Sequence, residues 1–331
     1  MNVKLISSLM CALALGCSAT KNCCVNRCAN DCANENPVAG NWGARLPYTA
    51  HSAAHFIIER DQDGKAKAQV LMRWGSPMWC SDVVIDGNKF SMRHPYGYLL
   101  RGKVCGSRMH GELAYCDKDG KATSEYLRFE GWRNPPIKPA NTKDAKFGEP
   151  IDLLKDGMNG WIAMDQNKNC WSFKDGVLSN RVPKKPDGHV QYYGANLMTT
   201  SSDFYDFNLE YDVRVPKGAN SGVYLRGRYE IQTLDSFGKK VDCHHMAAYY
   251  GRVAPSVAAE KPAGEWQHVS ITLYKRHLTV VLNGTTILDN VPVVGVTGGA
   301  IDAHEFVPGP LYIQGDHSDA DYRNMILRKA L

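Results

Sequence analysis

The chain has no apolar run long enough to cross a bilayer. Its longest is LISSLMCALALG, near the amino terminus, well short of the roughly 20 residues that a spanning helix needs. Long helical patterns are few, and none of respectable length interrupts the strands of residues 151–331. There is no basic run and no basic stripe interleaved with aromatics. Lys and Arg number 39 against 34 Asp and Glu, for a net charge of +5, so a nucleic-acid partner is not expected. The eleven cysteines show no zinc or iron–sulfur spacing. Cys23, Cys24, Cys28 and Cys32 run as Cys-Cys-x3-Cys-x3-Cys, which fits disulfides in an oxidising compartment better than a metal site.

Thirty glycines and many short apolar runs point to β structure. A length of 331 residues exceeds one small core and predicts two domains, or one large one with an extension. At the amino terminus, Lys4, the short apolar run and Gly16-Cys17 resemble a bacterial lipoprotein signal over residues 1–17. Cleavage before Cys17 would free its thiol to carry a lipid. That predicts an exported cell-envelope protein with the membrane as a partner; an ordinary secretory signal is the alternative. Residues 18–38 read as a Cys- and Asn-rich tether.

Residues 40–133 form a first β-domain. HFIIERD, AQVLMRW, DVVIDGNKFSMRH, YGYLLRGKV and EYLRFEGW read as strands or hairpins, with Asp-Gly and Gly-Asn at turns. A small antiparallel barrel or sandwich is expected. NPPIKPANTKDAKFGEP, residues 134–150, has little to bury and reads as a linker. Residues 151–331 return to strands by alternation and β-branched content, in NLEYDVRV, SGVYLR, YEIQTLD, HVSITLYKR, LTVVLNGTTILD and GPLYIQGD. A two-sheet antiparallel sandwich follows, so the whole chain reads as all-β.

In the second unit, GWIAMDQNKNCWSFKDGVLSN, DFYDFNLEYDVRVPKGANSGVYLRGRYEIQTLDS, VAP, KPAGEWQHVSITL, LNGTTILDN and LYIQGDHSDADYRNMIL occur in order. Together they resemble the bacterial 3-keto-disaccharide hydrolase family over most of residues 150–331. The resemblance implies a concanavalin-like jelly roll acting on glycosides whose sugar is oxidised at C3, as a hydrolase or a 1,2-lyase. Two positions depart from the family pattern: Ser318 stands where glycine is usual, and Ala258 where asparagine is frequent.

SGVYLR and YEIQTL are joined through Arg226-Gly227-Arg228. A three-residue loop pairs Leu225 with Tyr229 and Tyr224 with Glu230, which keeps apolar residues on one face. Tyr224, Arg226, Glu230 and Gln232 are then expected together on a polar face, either as a site or as a solvated surface with an Arg226–Glu230 salt bridge. Tyr312, Gln314 and Asp316 alternate onto one face, and His317 follows as the strand ends. Neighbours on a strand point apart, so Asp316 and His317 need not meet. Asp235 is expected to turn toward the cleft or cap a loop. Tyr250 and Arg323 could bind substrate or serve the fold. Trp161 and Trp171 could stack on sugars or pack in the core. His244 and His245 are not expected to make a metal site.

The paired-carboxylate mechanism of jelly-roll laminarinases uses Glu-x-Asp-x-(x)-Glu. Here Gln232 takes the aspartate position and no second glutamate follows. A 3-keto sugar needs something else: a base for the acidic C2 hydrogen, an acid for the leaving oxygen and a donor for the enolate. Given the resemblance, Glu230, His317 and Asp235 are the expected base and acid. Arg226, Gln232, Tyr224, Tyr250, Gln314, Asp316 and Arg323 are the expected contacts to an oligosaccharide or glycoside. A divalent ion at the enolate oxygen could do the same work, although no ligand spacing indicates one. A non-catalytic carbohydrate-binding module is the alternative.

Overall fold

The computed structural model describes residues 37–187, 190–191 and 193–331. The expected signal, lipidation at Cys17 and nearly all of the tether lie outside the described residues. The first domain is one antiparallel sheet of nine strands. In spatial order they are Met78–Trp79, Ala66–Leu71, Ala53–Arg60, Gly40–Arg45, Leu127–Arg133, Arg108–Tyr115, Tyr98–Cys105, Lys89–His94 and Ser81–Asp86. The two edge strands are separated only by Cys80 in sequence, so the sheet curls back on its own start. This gives a barrel-like wrap around Trp42, Phe56, Met92, Leu100 and Phe129, not a two-sheet sandwich. Cys105 is disulfide-bonded, whereas Cys80, Cys116, Cys170 and Cys243 are free.

The second domain is a jelly-roll sandwich. An eight-stranded sheet is built on Phe207–Arg214, Gln267–Tyr274 and Ala320–Lys329. A five-stranded sheet runs in the order Trp161–Ala163, Leu197–Thr199, Tyr312–Ile313, Asn220–Leu225 and Tyr229–Leu234. Alternation explains the outer sheet: in QHVSITLY, Val269, Ile271 and Leu273 are buried in the core while His268 is exposed. Asn283 and Gly284 both take positive φ and close the hairpin between His277–Leu282 and Thr285–Pro292, as Asn-Gly turns do.

Residues 134–150 are more than a spacer. Thr142 Oγ1 lies 2.6 Å from Thr279 Oγ1, and the Thr142 amide donates to Asn290 Oδ1. Phe147 bridges to Ala330. Polar side chains fasten this segment where apolar burial could not.

The two domains share a core: Ala53 and Leu71 of the first pack in the main cluster of the second. Trp132 stacks on His304 with ring centroids 3.6 Å apart. Glu305 is fully buried at this seam. It accepts from Asn134 Nδ2 at 2.7 Å, from Arg276 at 2.9 Å and from Tyr229 Oη at 3.2 Å.

Candidate active site

The hairpin has the expected register, with Leu225 opposite Tyr229 and Tyr224 opposite Glu230. Val223, Leu225, Tyr229 and Ile231 face the core. The opposite face is not solvated either: Tyr224 is 1% exposed and Glu230 3%. It is the floor of a hollow of about 480 Å3, within the usual range for small-molecule sites.

Tyr224 Oη lies 2.7 Å from Glu230 Oε2 and 2.8 Å from the carbonyl oxygen of Gly298. One hydroxyl carries one proton, and a carbonyl can only accept. With Tyr224 donating to Gly298, the second contact is satisfied when Glu230 carries the proton. The electrostatics agree. Burial, helped by the nearby Asp316 carboxylate, pushes Glu230 up to about 8 against the opposing pull of Tyr224. Gly222 makes this packing feasible, because a Cβ there would sit 2.2 Å from Glu230 Oε1.

Asp316 and His317 close one side of the hollow. The strand Tyr312–Ile313 has already ended, and the bend that follows lets neighbouring side chains meet. Asp316 Oδ1 is hydrogen-bonded to His317 Nδ1. That bond raises the His317 imidazole above its ordinary value despite partial burial. Tyr250 lines another side. Its amide donates to the Glu230 carbonyl at 3.1 Å, and burial pushes its hydroxyl up to about 12, so it remains a donor. Asn220 and Gln314 also face the hollow. Asn220 Oδ1 and Gln314 Oε1 are buried with no hydrogen-bond partner among the described residues, a costly state that ligand hydroxyls would relieve.

Residues 150–328 match the family described as the 3-keto-alpha-glucoside-1,2-lyase-like domain, more than half of the chain. The chain belongs to that family. No curated protein matches it. It is similar to a crystal structure of a candidate glycosyl hydrolase from Parabacteroides distasonis, with 20% identity, 59% of this chain and 93% of that one covered, and a TM-score of 0.43. It is also similar to SCLam, an endo-beta-1,3(4)-glucanase of family GH16 (13% identity, coverage 58% and 93%, TM-score 0.36). A third is the carbohydrate-binding module CBM66 from Bacillus subtilis (11% identity, coverage 51% and 96%, TM-score 0.34).

In this lyase-like domain the hollow brings together Tyr224, Glu230, Tyr250, Gln314, Asp316 and His317. It leaves out four other expected residues. Arg226 has φ of +55°, and this left-handed turn sends its side chain to the far side of the sheet. There it donates to Tyr229 Oη and the Glu305 carbonyl, each at 2.8 Å, and no Arg226–Glu230 pair forms. Gln232 is covered by the segment after His245, whose Ala247 and Ala248 bond its backbone; it does not line the hollow. Asp235 accepts from the Gly218 amide at 2.8 Å and caps that loop. Arg323 lies on the outer sheet, bonded to Asp212 and stacked on Trp266.

Trp161 and Trp171 are core residues whose indole N–H groups donate to Leu153 and Ala195 carbonyls. His244 bonds Ser76 and His245 bonds Glu260. Among the described residues, no three His, Cys, Asp or Glu side chains are grouped to hold a metal ion. Ala258 is exposed and does not line the hollow. Ser318 accepts from the Asn220 amide at 2.9 Å and anchors the start of the Asn220 strand.

Sequence reasoning missed Asn220, Tyr193 and Trp74. Extending the alternation back from Tyr224 through Gly222 would have reached Asn220. No local signal marks the other two. A larger groove of about 810 Å3 lies on the first domain, over Gly102 and Gly111. Its charged rim has no buried titratable group, so it lacks the tuned chemistry of the smaller hollow.

Proposed function

We propose that this protein cleaves 3-keto glycosides by elimination across C1 and C2. Family membership supports the substrate class. The observation that carries the chemistry is Glu230, buried and holding its proton up to about pH 8, in one hollow with the Asp316–His317 pair.

The C3 carbonyl acidifies the C2 hydrogen. Asp316 engages Nδ1 of His317 and leaves Nε2 to take that proton. The C2–H electrons pass into the enolate, whose oxygen receives a hydrogen bond from Tyr250. When the carbonyl re-forms, the C1–O bond breaks and a C1=C2 bond forms. Glu230 gives its proton to the leaving oxygen, and the proton on His317 later restores the pair. Addition of water to the double bond turns the same sequence into net hydrolysis. Asn220 and Gln314 accept from sugar hydroxyls.

The test is to incubate purified protein with a 3-keto-glucoside and with its unoxidised parent. Release of the aglycone from the keto form alone is expected. Release from the parent points to a conventional glycosidase. Saturable binding without release points to a carbohydrate-binding module.

A further inference from the structure

The first domain supplies one wall of the hollow. Trp74 and Gly75 line it beside Gly298 and Gly299, although the family match begins only at residue 150. Trp74 is 47% exposed. A large aromatic left half open in a concave site, beside buried polar groups, is costly unless a ligand covers it.

The segment carrying Trp74 is fixed to the second domain. The Gly299 amide donates to the Arg73 carbonyl at 2.8 Å, and Ser76 Oγ lies 2.7 Å from His244 Nε2. A Cβ on Gly298 would meet the Gly75 oxygen at 2.4 Å, so the backbones are in direct apposition. His51 bonds the Gly299 carbonyl at 2.7 Å and packs on the indole with centroids 4.7 Å apart. The Trp74 ring is therefore preorganised. Tyr193, 64% exposed, stands in the same hollow against His317, with centroids 5.6 Å apart. The hollow thus carries two open rings, Trp74 beside Gly298 and Gly299 and Tyr193 against His317.

We propose that Trp74 is a specificity-determining residue contributed by the first domain, and that it stacks on the ring of the leaving group. The ligand chemistry is a ring with an apolar face, either a second pyranose or an aryl group. This rests on the proposed function, in which Glu230 protonates the leaving oxygen. The first domain then selects the aglycone, while the second performs the chemistry.

The experiment compares wild type with Trp74→Ala and Trp74→Phe on a 3-keto-disaccharide, an aryl 3-keto-glucoside and the methyl 3-keto-glucoside. Calorimetric Kd values for the corresponding unoxidised glycosides are measured alongside. Trp74→Ala is expected to raise KM and Kd about tenfold for ring-bearing aglycones, about 1.4 kcal/mol, with kcat and the methyl glycoside little changed. Trp74→Phe restores much of the loss. The disaccharide and aryl arms show which ring is preferred. An equal loss for the methyl glycoside, no loss for any substrate, or no glycoside binding by the wild type overturns the proposal. Absence of turnover alone counts against the proposed reaction, while a selective loss of binding still supports the role of Trp74.

Discussion

Tyr224 and Glu230 face each other across adjacent strands with 2.7 Å between hydroxyl and carboxyl oxygens. Tyr224 Oη also lies against the Gly298 carbonyl. Burial holds the Glu230 carboxyl protonated up to about pH 8 on the floor of the site, and the proposed chemistry depends on that proton.

Glu230→Gln keeps the shape and can donate to Tyr224, but it cannot give up a proton. A fall in kcat of about 10²–10⁴-fold is expected. Folding stability should respond differently. The folded state holds the Glu230 proton up to about pH 8, whereas an unfolded glutamate loses it near its ordinary value. Wild-type stability should therefore fall as pH rises between those values. The variant lacks this slope. Thermal melts at pH 5 and pH 8.5 should show it gaining on wild type at the higher pH.

The pH dependence of kcat/KM should be bell-shaped. His317 must be deprotonated, so activity rises as pH passes its elevated value. Glu230 must be protonated, so activity falls near pH 8. Asp316→Asn removes the main cause of the His317 shift. The acidic limb should then move to lower pH, at the cost of some rate, as read from initial rates over pH 5–9.

Gly222→Ala places a methyl group against Glu230 Oε1. Overpacking of this kind costs about 1–3 kcal/mol. Loss of turnover together with a lower Tm is expected in parallel melting and activity assays.

Arg226 and Glu305 serve the fold. Arg226→Ala should lower stability by about 2–3 kcal/mol through lost buried hydrogen bonds, with KM of the folded enzyme unchanged. Glu305→Ala leaves Arg276 without its ion-pair partner at the domain seam, which costs about 3–5 kcal/mol. Denaturant melts with kinetics on the folded fraction separate these effects from a role in catalysis.

Alternation and burial were enough to read the hairpin register and the Tyr224–Glu230 pairing, because a one-residue slip would bury the carboxyl in the core. Parity failed at Arg226, since it holds only for extended backbone and this residue is left-handed. It failed differently at Gln232, which is covered by a segment folded back from beyond His245. Arg323 sat in a family-like motif, yet its strand belongs to the other sheet. Trp74 was invisible because its position depends on docking of a separate domain, which no local pattern encodes.

The central claim is tested most directly with a 3-keto-glucoside carrying deuterium at C2. Wild type should cleave it several-fold more slowly than the protiated substrate and give an initial elimination product without the label, while Glu230→Gln should be nearly inactive on both. Equal rates with the deuterium retained at C2, or an unimpaired Glu230→Gln variant, would contradict the account.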